Sequence, residues 1–154
     1  MKRTLIAVAA LAFSAATVSA AQVTFRGVLQ FTAVTQACLD AGDGQPGEVW
    51  FMRFSPPNLG TNGPSTRLTL FYELGGAASF TLASGSLVGA TFKNIETTGI
   101  FRGVGSSPAT MRLRTQVPAA PTDTTTAISI TGDTTDFTGD AGCTVSFIAK
   151  GFKQ

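Results

Sequence analysis

The sequence predicts an all-β fold: a single-domain antiparallel β-sandwich, or a closed β-barrel, of about 8–9 strands with its first and last strands tied by a disulfide. Three observations lead there. Helix signals are nearly absent beyond the first twenty residues, where glycines and prolines interrupt the chain often. Short runs rich in Val, Ile, Phe, Thr and Leu lie between those breaks, many alternating with period two. The only two cysteines, Cys38 and Cys143, flank most of the chain, and an even count in an exported protein points to one bridge.

The first run places Val23, Phe25, Leu29 and Phe31 on one face and Thr24, Arg26, Gln30 and Thr32 on the other, with Gly27 read as a bulge in the apolar face. EVWFMRF, 48–54, is apolar on both faces and predicts a central strand covered on both sides, ended by Pro56 and Pro57. Strands are expected next at 67–73, 78–84, 86–95 and, briefly, 99–103. Residues 110–117 set Met111, Leu113, Thr115 and Val117 against Arg112, Arg114 and Gln116, one dry face and one wet. TAISIT at 126–131 and CTVSFIAKGF at 143–152 complete the set, the last placing Val145, Phe147 and Ala149 together. Cys38 follows the first strand and Cys143 begins the last, so a bond between them makes those strands neighbours or sets them face to face across a sandwich. Three loops stand out: 55–66, rich in turn formers and a candidate for recognition, then 103–110 and 117–126.

The amino end reads as an address. Lys2 and Arg3 precede a short apolar run at 5–13, and small residues lead to an expected cut after Ala20. Residues 1–20 are thus expected to be a secretory signal peptide and 21–154 one all-β domain, secreted or periplasmic. The apolar run is too short to span a bilayer, and no transmembrane helix is expected. Without Lys2 and Arg3 the remaining bases and acids are nine each, so the basic pI carries no implication of nucleic acid, and no Lys/Arg cluster is visible along the chain.

Chemistry is sparse. The chain has no histidine, which excludes the usual Ser-His-Asp and Cys-His nucleophiles and the commonest zinc ligand. A bridged cysteine pair leaves no thiolate. A glycan hydrolase needs only two carboxylates, and Glu48, Glu73 and Glu96 are the candidates. Trp50 and Tyr72, the only Trp and Tyr, sit in apolar runs and read as core. TGDTTDFTGDAGC holds Asp133, Asp136 and Asp140, and CLDAGDG holds Asp40 and Asp43. A Cys38–Cys143 bond would gather these five at one end, as a calcium site or as plain turn chemistry. VTFRGVLQF…ACLDAG resembles the start of a chaperone–usher pilin, but the second cysteine departs from that pattern by lying near the carboxyl end.

The function expected is an exported, non-catalytic module with a binding or structural role at a bacterial-type cell envelope, its partner an envelope protein or a glycan. The alternatives are a small outer-membrane β-barrel and a carboxylate-dependent glycan hydrolase.

Overall fold

The computed structural model describes residues 21–71, 77–82, 91–98 and 109–154. The fold is all-β, a curled antiparallel sheet with little helix. In chain order the elements are β1 (Phe25–Val34), a short helix α1 (Gln36–Ala41), β2 (Val49–Ser55), β3 (Thr66–Phe71), β4 (Ala77–Leu82), β5 (Thr91–Thr98), β6 (Thr110–Val117), β7 (Ala127–Thr135), a 3-10 turn (Phe137–Gly139) and β8 (Thr144–Lys153). Each strand pairs antiparallel with the next. β1 also pairs with β8, from Phe25 opposite Lys153 to Val34 opposite Val145. The sequence expected that adjacency from the cysteines, and the Cys38–Cys143 disulfide is formed, with the two Cα atoms 4.4 Å apart. Among the described residues no helix is long and apolar enough to cross a membrane.

Period-two alternation puts one set of side chains on the concave face of the sheet. Phe25, Leu29 and Phe31 of β1 meet Met52 and Phe54 of β2, Leu68 and Leu70 of β3, and Val145 and Phe147 of β8 in one buried cluster. Fully burying a side chain of this size contributes about 1.5–3 kcal/mol, so this cluster carries most of the stability. Phe31, Trp50 and Phe137 close it at the disulfide end. Phe137 meets both other rings edge-on, at 5.3 and 5.4 Å between centroids.

Four expectations are corrected. EVWFMRF is not covered on both sides. Trp50, Met52 and Phe54 point into the core, while Val49 and Phe51 stand outside at 48% and 54% exposure. A single curled sheet has only one packed face, so the apolar outward residues stay bare. Gly27 marks no bulge; the register of β1 on β8 is unbroken there and slips between Phe31 and Ala33 instead. The dry face of β6 does not run its full length. A slip between Leu113 and Thr115 turns the strand over, burying Gln116 and leaving Val117 65% exposed. Buried Gln116 donates through Nε2 to the carbonyls of Pro118 and Ala119, both at 3.1 Å. Lastly, TGDTT is not a turn. It is the end of β7, where Gly132 lies opposite Phe147. A Cβ at Gly132 would stand 2.7 Å from that ring, so glycine is there to admit the phenylalanine rather than to turn the chain.

The helix α1 was not foreseen, because six residues are too few to show a helical period. Strand β5 lies at 91–98 rather than 86–95. The short run expected at 99–103, and nearly all of the loop at 103–110, lie outside the described residues.

Candidate functional site

The disulfide end is built by local bonding. Thr35 follows β1 and precedes α1, and its hydroxyl accepts from Thr144 N at 2.9 Å and donates to Gly142 O at 2.9 Å. That bond ties the exit of β1 to the entry of β8. α1 then carries Cys38, its only buried residue, to Cys143. Gly42 stops the helix in the left-handed conformation, with its N–H on the carbonyls of Cys38 and Leu39.

The chain from Gly42 to Glu48 faces Phe137 and Thr138 across a pocket of about 580 Å³ floored by Trp50. Trp50 is buried, as its apolar surroundings implied. Both oxygens of Glu48 are engaged: Oε1 accepts from Trp50 Nε1 at 2.8 Å, and Oε2 from Gln45 N at 3.0 Å. Asp43 Oδ2 accepts from Thr138 Oγ1 at 2.8 Å. The two carboxylates therefore hold the pocket wall together. Glu48→Ala strips Trp50 Nε1 and Gln45 N of their acceptor, and a net loss of about 1–2 kcal/mol is expected. Because Trp50 is the only tryptophan, its fluorescence reports the same change. A shifted emission maximum together with a lower urea midpoint is the expected pair, and an unchanged spectrum would show that the indole bond is not needed.

The five aspartates do not converge as one set. Asp133 sits on β7 and pairs with Arg114, the residue that the β6 slip re-aims. Asp136 Oδ1 accepts from Gly142 N at 2.9 Å, the work of a turn residue. Asp40 accepts from Gln36 Nε2 at 2.8 Å, one turn back along α1. Asp43 bonds Thr138 as described. Asp140 Oδ2 is buried without a hydrogen-bond partner among the described residues. Asp40, Asp43, Asp136 and Asp140 do share the disulfide end. Among the described residues, however, no group of three or more acidic or sulfur ligands is placed to hold a metal ion. Glu73, Tyr72 and the side chain of Glu96 lie outside the described residues.

The loop at 55–66 is bonded down rather than displayed. Asn62 Nδ2 donates to the carbonyls of Val23 and Pro56 at 2.8 and 2.6 Å. Gly60 N donates to Asp123 Oδ1 at 3.0 Å, and Leu59 packs on the core. It covers the end of the sheet opposite the disulfide.

The convex side carries what sequence reading missed. On β1, β2 and β3 the exposed outward positions include Arg26, Val28, Phe51, Arg53, Arg67 and Phe71, with Gln30, Thr32 and Val49 exposed on the same side toward the disulfide end. The ladder sets them in rows. Val28 lies opposite Phe51, and Phe51 opposite Phe71. Arg26 lies directly opposite Arg53. Two shallow depressions run over this wall, both bordered by Arg53 and Phe71. No Lys/Arg cluster is visible along the chain because these arginines are 27 and 14 residues apart. The usable signal was the outward half of each alternating run, read across three strands at once.

No family model, curated protein or solved structure matches this chain.

Proposed function

We propose that this chain is an exported, non-catalytic binding module of the cell envelope. In this reading residues 1–20 are a signal peptide cut after Ala20, and the curled sheet is a closed eight-stranded barrel. Closure is supported by the pairing of β1 with β8. The observation that carries the binding role is the convex wall of β1–β3, where arginines and bare apolar side chains stand together and, among the described residues, no carboxylate is placed with them.

Two further features support it over the alternatives. Among the described residues the inward side chains are mostly apolar and packed, with Thr66, Gln116 and Thr134 the buried polar exceptions on β3, β6 and β7, whereas a transmembrane barrel carries polar side chains inside and an unbroken apolar band outside. A glycan hydrolase needs a free acid–base pair. Glu48, the described candidate, has both oxygens bound to its own strand and turn.

Export is tested by expressing the whole chain in a Gram-negative host and fractionating the cells. The expected product is a chain beginning at Ala21, disulfide-bonded, in the periplasm or medium. Recovery of the uncut chain from the cytoplasm would overturn the export reading. Recovery only from membranes after a salt wash, with detergent needed for release, would instead favour a membrane barrel.

A further inference from the structure

We propose that the convex wall of β1, β2 and β3 docks this domain on an anionic lipid surface. The idea rests on the envelope reading only for where such a lipid is met, and the surface chemistry stands by itself.

Charge is the first argument. Arg26 and Arg53 face each other across the β1–β2 ladder. Like charges directly opposite destabilise a sheet, and a carboxylate between them would cancel the cost; among the described residues none is placed there. Arg26, Arg53 and Arg67 make no hydrogen bond or ion pair among the described residues, whereas Arg114, on the far side, has Asp133. Five of the seven carboxylates with described side chains, Asp40, Asp43, Glu48, Asp136 and Asp140, lie instead at the disulfide end; Asp133 pairs with Arg114 and Asp123 holds Gly60 N. Among the described residues the wall thus presents three exposed guanidinium groups with no carboxylate bound to them, and an anionic surface would supply the counter-charge.

Shape and apolarity choose the kind of anion. Val28, Phe51 and Phe71 form a row beside the arginines, 43%, 54% and 39% exposed. Lys150 flanks Val28 and Phe152 flanks Arg26 on β8, and Phe152 is 66% exposed. A free phosphate would satisfy the guanidinium groups and leave the rings wet. A lipid interface supplies both needs in one plane: phosphates for the arginines, and the upper acyl region for the rings. Strands β1 to β3 each have a neighbour on both sides, so this wall offers no open edge to which a partner's strand could add. It binds through side chains alone.

The test uses the oxidised chain from residue 21 and sedimentation with vesicles. Binding is expected to vesicles containing phosphatidylglycerol, not to phosphatidylcholine alone, and is expected to fall as salt rises. Arg53→Gln should weaken it about fivefold, and the triple change R26Q/R53Q/R67Q about a hundredfold. Phe51→Ser should weaken it about tenfold through the lost apolar contact. The arginine changes should not lower the melting midpoint, and Arg53→Gln, which removes a like-charge contact, should leave it level or raise it. Phe51→Ser also loses its cross-strand pairs with Val28 and Phe71 and should lower it slightly with the chain still folded. Failure to bind anionic vesicles would overturn the proposal. So would binding that ignores the arginine changes. Equal capture by dextran sulfate, insensitive to Phe51→Ser, would assign the wall to a soluble polyanion instead. Concentration-dependent dimerisation lost in the same variants would assign it to a second copy. Each outcome is independent of the fractionation result, so export and lipid docking fail separately.

Discussion

Replacing Cys38 and Cys143 together with alanine is expected to lower the unfolding free energy by about 2–5 kcal/mol. The bridge closes a separation of 105 residues, and a loop that long gives the chain-entropy effect near its upper range. Local structure adds to the loss. α1 has six residues and no side-chain cap at its start, far too little to hold as an isolated helix. Its one buried residue is Cys38, so the bond is also its anchor. The pocket wall from Gly42 to Glu48 follows directly from α1 and would loosen with it. The melting midpoint should fall by roughly 10–15 °C. The urea m-value should rise, because an unbridged chain exposes more surface when unfolded. Trp50, in ring contact with Phe31 and Phe137 at this end, is the probe. A midpoint within a degree or two of the oxidised protein would mean that the Thr35 bonds to Gly142 and Thr144 hold this end unaided.

Much of the sheet was legible because inward positions are chosen by burial, and burial writes itself into the chain two residues at a time. Phe25, Leu29 and Phe31 announced the dry side of β1, and Met111 with Leu113 the first half of β6. The cysteines supplied the long-range fact that β1 and β8 are adjacent. The errors share a cause. Each arose where a residue was chosen for its neighbour on another strand. Gly132 serves Phe147, across the β7–β8 ladder. Gln116 is buried because the register slips beside it. Phe51 is apolar yet outside, in a row with Val28 and Phe71. Composition along one strand contains none of these relations; register does. The convex wall was missed for the same reason. Its arginines come from three strands and meet only once the ladder sets Arg26 against Arg53. The aspartates show the converse. The expected disulfide suggested convergence of all five, but strand β7 runs through Asp133 and carries it onto the side of the sheet, to Arg114.

Gly27→Ala is expected to cost about 3 kcal/mol, one of the larger single-residue effects available outside the core aromatics. The added Cβ would stand 1.9 Å from the carbonyl oxygen of Lys150 and 2.7 Å from the Cα of Gly151. Both obstacles are backbone, so no side-chain rotation relieves them. β1 would have to move away from β8 at the point where Gly27 and Gly151 lie opposite each other. Ladder bonds that join the two ends of the sheet would stretch. The control is Gly63→Ala in the 55–66 loop. There a Cβ meets nothing within 4 Å, and the change should be neutral or stabilise by about 0.4–1 kcal/mol through the unfolded chain. Denaturant titration of the two variants beside the parent gives the comparison. If Gly27→Ala unfolds with Gly63→Ala, β1 and β8 do not approach this closely, and the close pairing on which the proposed closure rests has to be given up. If it melts far earlier, a second consequence follows. Arg26 and Val28 flank Gly27, and β1 cannot shift without carrying both off the wall. Under native conditions this variant should therefore also bind phosphatidylglycerol vesicles less tightly, although position 27 itself contributes no side chain to that surface.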